Sequence, residues 1–292
     1  MVDSIAWKYS FSGHDSFQCR QLWLKKGYDF IDNGHSFNDL DAVVKLGVGK
    51  NMVSSIRFWM KAFNILDVND NLTVFGKKLF DNDTGFDPFL EDDASLWLLH
   101  YQLVRTRLAS IYSIVFNEFR KEKIYFSKET FINYLKRRKE AEPHLPFNQN
   151  TISDDFDVFL KMYQRNSASK DIEDSFSGVL TDIEMLKILG KGKDEQYQIE
   201  NNERDKLPSP IFLYAILDNP EYGLSISLHT LENEFNSPGT IFALNRQGLL
   251  NKIFEIVEEN RYITFTDHAG IKELQFKKKS DPYTILANYY GK

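Results

Sequence analysis

The sequence predicts a mainly α protein with small β-hairpin wings: an N-terminal winged helix-turn-helix, a helical middle and a second, C-terminal winged helix. Three stretches carry this prediction. Residues 46–66 (LGVGKNMVSSIRFWMKAFNIL) combine helical periodicity with a charged face and a glycine turn in front. Residues 69–80 (NDNLTVFGKKLF) hold a turn and the β-prone run Leu72, Thr73, Val74, Phe75, followed by Gly76, Lys77 and Lys78, which is how a winged helix closes after its recognition helix. Near the C-terminus, the apolar-faced helix predicted over 240–259 precedes RYITFTDHAGIKELQFKKK, two strand-like runs around a turn at 267–270.

Taken in order, residues 1–38 contain FSGHDSFQCRQLWLKKGYDF. Asp15 or Ser16 is placed to cap a helix running to about Lys26, with Gly27 ending it and Lys25 and Lys26 in its last turn. Phe17, Leu22 and Leu24 are core candidates, and Arg20 lies three residues from Trp23, hence beside it on a helix. His14, next to Asp15, reads as a capping-region residue rather than a catalyst. Residues 39–46 (DLDAVVKL) form a short helix, and Gly47 and Gly49 supply the tight turn to the next. In that second helix Val53, Ile56, Met60 and Phe63 make an apolar stripe. Lys50, Asn51, Ser54, Ser55, Arg57 and Lys61 lie mostly off it and are the side-chain types that reach phosphates and base edges in a major groove. His14, Arg20, Lys25 and Lys26 are expected to support them. These segments define a domain over 1–90.

Residues 81–93 (DNDTGFDPFLEDD) alternate aspartates as a calcium loop does, but the sixth position, which an EF-hand reserves for glycine, is Phe86. They read as a polar linker. Residues 95–121 are a long amphipathic helix or a pair of helices, and 124–187 read as helical throughout, with Ser127 capping KETFINYLKRRKE, Glu129 near the capping-box position, and Ser153 or Asp154 capping the helix of TISDDFDVFLKMYQ. Asp154, Asp155 and Asp157 resemble a carboxylate cluster, yet acids at a helix start ordinarily serve its dipole. A middle domain therefore spans 91–190. Residues 191–210 are polar, with YQI as a wing strand, and open a third domain over 191–292. Its first elements are a helix over 211–217 and the short helix SLHTLENEF.

The 292 residues allow two or three domains, and the net charge of −6 excludes a protein that coats nucleic acid by charge alone. It permits a local cationic face: Lys25, Lys26, Lys45, Lys50, Arg57 and Lys61 fall in the first segment, whereas acids crowd the next. A single cysteine, Cys19, excludes an intramolecular disulfide framework and, with no run of about 18 apolar residues and no signal-peptide layout, points to the cytoplasm and away from the membrane. GVGKN is not a phosphate loop, because the Walker pattern needs Gly at Val44 and Ser or Thr at Asn51. No paired-cysteine zinc spacing, zincin, hydrolase elbow or dinucleotide fingerprint occurs. Glu184 and Lys187 are spaced Glu-x-x-Lys, not the Glu-x-Lys of restriction-type nucleases. Catalytic residues stay unknown, and no metal site or cofactor is identified.

Four blocks, SGHDSFQCRQLWLKKG, LGVGKNMVSSIRFW, LTVFGKKLF and DPFLEDDASLWLLHYQL, with SPIFLYAIL and ILANYY further on, resemble a bacterial domain-of-unknown-function family associated with DNA phosphorothioation defence clusters, of the SspB nickase type. The resemblance implies sequence-preferring binding of double-stranded DNA, nicking of one strand so that sulfur can be installed, and sulfur-transfer and ATPase proteins of the same system as partners. It supplies no catalytic residues. A nickase would call for a divalent metal, and a homodimer stays open. The rivals are a non-enzymatic winged-helix transcription regulator, which would use the same helices without cutting, and an interaction scaffold with no salt-dependent DNA affinity.

Overall fold

The computed structural model describes residues 8–164 and 177–292. Its first helix begins later than the sequence predicts. Residues 12–16 turn sharply, with Ser12, Asp15 and Ser16 at φ of 72°, 47° and 64°. Arg20 then bridges antiparallel to Gly178, and α1 spans Trp23–Asp32. Gly27 thus lies inside α1 rather than ending it. A Cβ there would stand 2.1 Å from the Met60 Sδ, so the glycine permits close approach of two helices. Gly27→Ala is expected to cost about 1–3 kcal/mol by overpacking, and to cost less when introduced into a Met60→Ala protein than into the parent. Thermal unfolding of the three variants measures this; an unchanged midpoint for Gly27→Ala would rule out the tight contact.

α2 (Ala42–Leu46) ends on Gly47 in the left-handed region, φ 60°, and α3 runs Lys50–Ala62. The apolar stripe of α3 is inside: Val53, Ile56, Trp59 and Met60 are buried, as is Phe63 just beyond the helix. The β-prone run after it becomes a helix instead. Thr73 Oγ1 accepts from the Gly76 N–H at 2.9 Å and so caps α4 (Val74–Phe80), because a helix start satisfies donors that a lone strand there would leave open. Only an isolated bridge, Leu66 to Leu72, keeps strand pairing. The aspartates of 81–93 serve local turns: Asp81 accepts from the Asp83 and Thr84 backbone, and Asp87 from Glu91, Asp92 and the Ser95 hydroxyl.

α5 (Asp93–Thr106) is almost wholly buried and ends where Arg107 turns left-handed. α6 (Ser110–Ile114) follows and runs through a π turn, Val115–Phe119, into α7 (Arg120–Glu122), so residues 95–121 are a pair of helices. After β1 (Tyr125–Phe126) comes α8 (Lys128–Ala141), whose Ser127 cap is reciprocated by Thr130, not Glu129. α9 (Gln149–Tyr163) starts earlier than predicted because the Asn148 side chain takes the Asn150 and Thr151 N–H groups. Asp154, Asp155 and Asp157 consequently sit within the helix. Residues 124–187 are not helical throughout: β1 opens them, and the described residues after 176 hold only a short 3-10 turn, Thr181–Ile183, before β2 (Lys187–Leu189). β2 and β3 (Gln196–Gln198, overlapping the predicted YQI strand) join β1 in an antiparallel sheet of order β1-β3-β2. The part of that helical prediction covering 165–176 lies outside the described residues.

The C-terminal part runs α10 (Ser209–Leu217), β4 (Ser225–Ser227), α11 (Leu228–Asn233), α12 (Pro238–Ile241), α13 (Arg246–Glu259), β5 (Ile263–His268), β6 (Ile271–Phe276) and α14 (Pro282–Tyr290). The helix predicted from Thr240 is interrupted, because the Asn245 side chain accepts from the Gly248 N–H at 2.7 Å and restarts it as α13. β5 and β6 pair from Ile263–Phe276 to His268–Ile271 around Ala269 and Gly270, both at positive φ, as a two-residue hairpin turn requires. The sheet order is β4-β6-β5. The described chain is therefore mainly helical with two small antiparallel sheets. One continuous apolar core links its parts, centred on α5, where buried His100 meets the Tyr163 hydroxyl at 2.9 Å and donates or accepts there according to its tautomer. Burial lowers the His100 pKa to about 3, so the ring is neutral. Among the described residues no helix is long and apolar enough to cross a membrane.

Candidate nucleic-acid interface

The sequence of α3, KNMVSSIRFWMKA, contains three cations and no acid. Lys50, Asn51, Ser54, Arg57, Phe58 and Lys61 recur at spacings of three and four, which places them along one side of the helix. Lys50, Asn51 and Ser54 are exposed; Arg57, Phe58 and Lys61 are half-buried. Ser55 departs from the expectation. It is fully buried, so its hydroxyl faces the core and not a duplex.

Asp70 orders the far end of this face. It sits at φ 66° in the turn between the bridged Leu66 and Leu72. Its carboxylate accepts from Arg57 Nε at 3.0 Å, forms a second, short bond with Arg57 Nη2, and pairs with Lys61 Nζ at 2.9 Å. Lys61 Nζ also donates to Val68 O at 3.0 Å and Arg57 Nη1 to Asn38 Oδ1 at 3.2 Å. Partial burial disfavours the Asp70 anion, but the bonds from Arg57 and Lys61 outweigh it and hold the carboxyl below its usual range. Two cations share one anion, leaving a net positive charge with its side chains already fixed.

The supporting residues divide. Lys26 is exposed and its Nζ caps α2 by donating to Leu46 O at 3.1 Å. Arg20 lies over the Trp23 ring at 5.2 Å, so the predicted neighbours do meet, although Arg20 precedes the helix. Lys25 is turned inwards, 5% exposed, and donates to Asp29, Asn82 and Phe80 O. A buried ammonium with three acceptors holds α1 against the end of α4 and is spent there.

His14 is also buried, at 2% exposure, and is not the ordinary capping residue the sequence suggests. Its Nε2 lies 2.9 Å from Asp155 Oδ1, and the same oxygen accepts from the Ser12 N–H at 2.7 Å. The ring stacks on Trp59 (5.7 Å, 9°) and meets Phe58 edge-on (5.9 Å, 77°), while Trp59 Nε1 donates to Phe17 O at 2.9 Å. The turn at 12–16 is thus clamped between α3 and α9. His14 and Asp155 are 141 residues apart, and local pattern gives no signal for their meeting.

α13, the long helix of the C-terminal part, does not share the cationic face. Arg246 pairs with Glu232 at 3.4 Å, Lys252 is 5% exposed and pairs with Glu255 at 2.9 Å, and Phe254, Glu258 and Glu259 are exposed. Three lysines on and just after β6 are engaged as well: Lys272 pairs with Asp267 at 3.3 Å, Lys278 lies over Tyr262 at 5.0 Å, and Lys279 donates to Tyr222 O.

The family model described as protein of unknown function (DUF4007) matches residues 11–290, and the chain belongs to that family. Two solved structures are similar to it. A magnesium ion-bound SspB crystal structure has 27% sequence identity and a TM-score of 0.84, covering 97% of this chain and 88% of that one. An SspB crystal structure has 26% identity and a TM-score of 0.80 over the same shares. This agrees with the SspB-type likeness of the sequence blocks. No curated protein matches.

Proposed function

We propose that this DUF4007 chain is the DNA-binding component of a bacterial DNA phosphorothioation defence system, contacting duplex DNA through α3, with nicking of one strand as its activity. The observation that carries the reading is the acid-free helix of an acidic protein presenting Lys50, Asn51 and Ser54 in the open and Arg57 and Lys61 ready-ordered beside them. Thirteen residues give a rod of about 20 Å, and a short cationic helix of this kind fits a major groove. Lys26 and Arg20 flank it. Ser55, Lys25 and His14 are omitted from the contact set because they are buried.

In this reading both ends are winged helices: α2, Gly47 and α3 closed by the Leu66–Leu72 bridge, and α10 to β6 with the β4-β6-β5 sheet. The division into 1–90, 91–190 and 191–292 belongs to the same reading, with β3 crossing the second boundary to complete the β1-β3-β2 sheet, as do a cytoplasmic setting, association with the sulfur-transfer and ATPase proteins of the system, and a homodimer. Among the described residues no three His, Cys, Asp or Glu side chains are grouped to hold a metal ion.

Supercoiled plasmid incubated with the protein and Mg²⁺ tests the activity: open circles are expected, and they should disappear with a Lys50→Ala/Arg57→Ala protein purified identically. Plasmid that is bound but stays supercoiled would favour the non-enzymatic regulator. The role of Asp70 gives a second test of the surface. Asp70→Asn removes the anion shared by Arg57 and Lys61, and affinity for duplex DNA should rise by about threefold to tenfold at low salt, with a steeper salt dependence. Weaker binding by that variant would mean that fixing the two cations matters more than freeing their charge.

A further inference from the structure

A second site lies at the α5–α6 corner, just past the end of α3. Thr106 Oγ1 donates to Ala62 O at 2.7 Å, tying the last turn of α5 to the last residue of α3. The next residue, Arg107, turns left-handed at φ 60°. A cavity of about 350 Å³ opens there, lined by Tyr101, Arg105 and Arg107 on one part of the chain and by Asn219, Glu221, Phe235 and Asn236 on others. That size falls within the range of small-ligand sites, about 300–1,000 Å³.

Its chemistry is specific. The Arg107 guanidinium carbon lies over the Phe235 ring, 4.1 Å from its centroid, and Arg105 lies 5.9 Å from that of Tyr101. Arg105 is fixed by Asp218, through its Nη1 to the carboxylate and its Nη2 to the backbone oxygen, both at 3.2 Å. Asn236, another left-handed residue at φ 59°, is fixed by Asn117, whose Oδ1 accepts from the Asn236 N–H at 2.7 Å and whose Nδ2 donates to Asn236 Oδ1 at 3.0 Å. Asp218 and Glu221 balance the two arginines, which argues against a simple trap for a free anion. An arginine held over a phenyl ring, with amide and carboxylate groups around the pair, suits a planar ligand whose edge both donates and accepts.

We infer that this cavity takes the nucleobase of an unstacked nucleotide, the base stacking on the Arg107–Phe235 platform and its edge meeting Asn219, Asn236 and Glu221. Arg planes and aromatic rings are the usual platforms for single bases. The inference rests on the DNA reading only for the source of the nucleotide.

Calorimetric titration with the four 2′-deoxynucleoside 5′-monophosphates, the free deoxynucleosides and inorganic phosphate tests it on the intact protein. Saturable binding of at least one monophosphate and its nucleoside is expected, with affinity falling tenfold or more in Phe235→Ala and in Arg107→Lys, which keeps the charge and loses the planar stack. Thermal unfolding of both variants checks that they are folded. No saturable binding by the unmodified protein would overturn the inference. So would phosphate competing where nucleosides do not bind, or either variant binding as before. Lys50→Ala/Arg57→Ala should retain nucleotide binding, so loss of the α3 reading leaves this result standing.

Discussion

Replacing Lys50 and Arg57 together by alanine is expected to weaken binding to duplex DNA by about 2–4 kcal/mol at low salt, on the scale of about 1–3 kcal/mol for a single base-reading side chain. Lys50 is the first residue of α3 and is exposed, and recognition helices place their N-terminal residues against base edges. Arg57 is one turn past Ser54 and already held by Asp70. Truncating it does two things: it removes a cation, and it leaves Asp70 with Lys61 alone, so that the shared anion is less well compensated where the phosphates would lie. The loss from Arg57→Ala should therefore exceed that from Lys50→Ala. The double variant should also lower the slope of log affinity against log salt by about 2, near 0.9 for each phosphate contact given up. Gel shift at low salt and a salt titration read both quantities. A double variant that binds as the parent does, with the parent's slope, removes α3 as the DNA surface. Lys25→Ala provides the contrast: its ammonium is enclosed by Asp29, Asn82 and Phe80 O, and its loss should show in stability first.

What was legible in the chain was local and periodic. The glycine turn and apolar stripe of α3 need only a few neighbouring residues to be read, and so does the Asp267–Gly270 hairpin, where Gly270 takes positive φ without cost. The structure departs from the local pattern where several polar residues compete to start a helix. In NQNTISDD the cap went to Asn148, although Ser153 and Asp154 have the same chemistry, and in NLTVF the Thr73 hydroxyl turned a β-prone run into α4. At the N-terminus Asp15 and Ser16 took the left-handed conformation instead of capping. The cationic character of α3 could be read from composition, but its partial neutralisation could not, because Asp70 reaches Arg57 and Lys61 only through the turn after the helix. The long-range pair His14–Asp155 leaves no periodic trace at all. A buried histidine and three aspartates in one helix look, in sequence, like capping and dipole residues.

That pair carries the second large effect. Asp155→Ala is expected to destabilise the protein by about 2–3 kcal/mol, because the buried His14 would lose the carboxylate it meets, at about 1–3 kcal/mol, and the half-buried bond from the Ser12 N–H to the same oxygen would go with it. At about 2–4 °C per kcal/mol for a chain of this order of size, the thermal midpoint should fall by roughly 5–10 °C. Asp155→Asn keeps an acceptor oxygen in place and should lose less than half as much. The consequence extends to α3. The turn at 12–16 holds three left-handed residues, and the clamp that keeps it folded also presses His14 against Trp59 and Phe58. When Asp155 no longer holds the turn, the strained backbone has no reason to stay, and the packing behind Ser54, Arg57 and Lys61 loosens with it. DNA affinity of the folded Asp155→Ala protein, measured well below its midpoint, should fall as well. An unchanged midpoint would show that the contact contributes nothing; a lowered midpoint with parental DNA affinity would show that the clamp secures the fold without shaping the α3 surface.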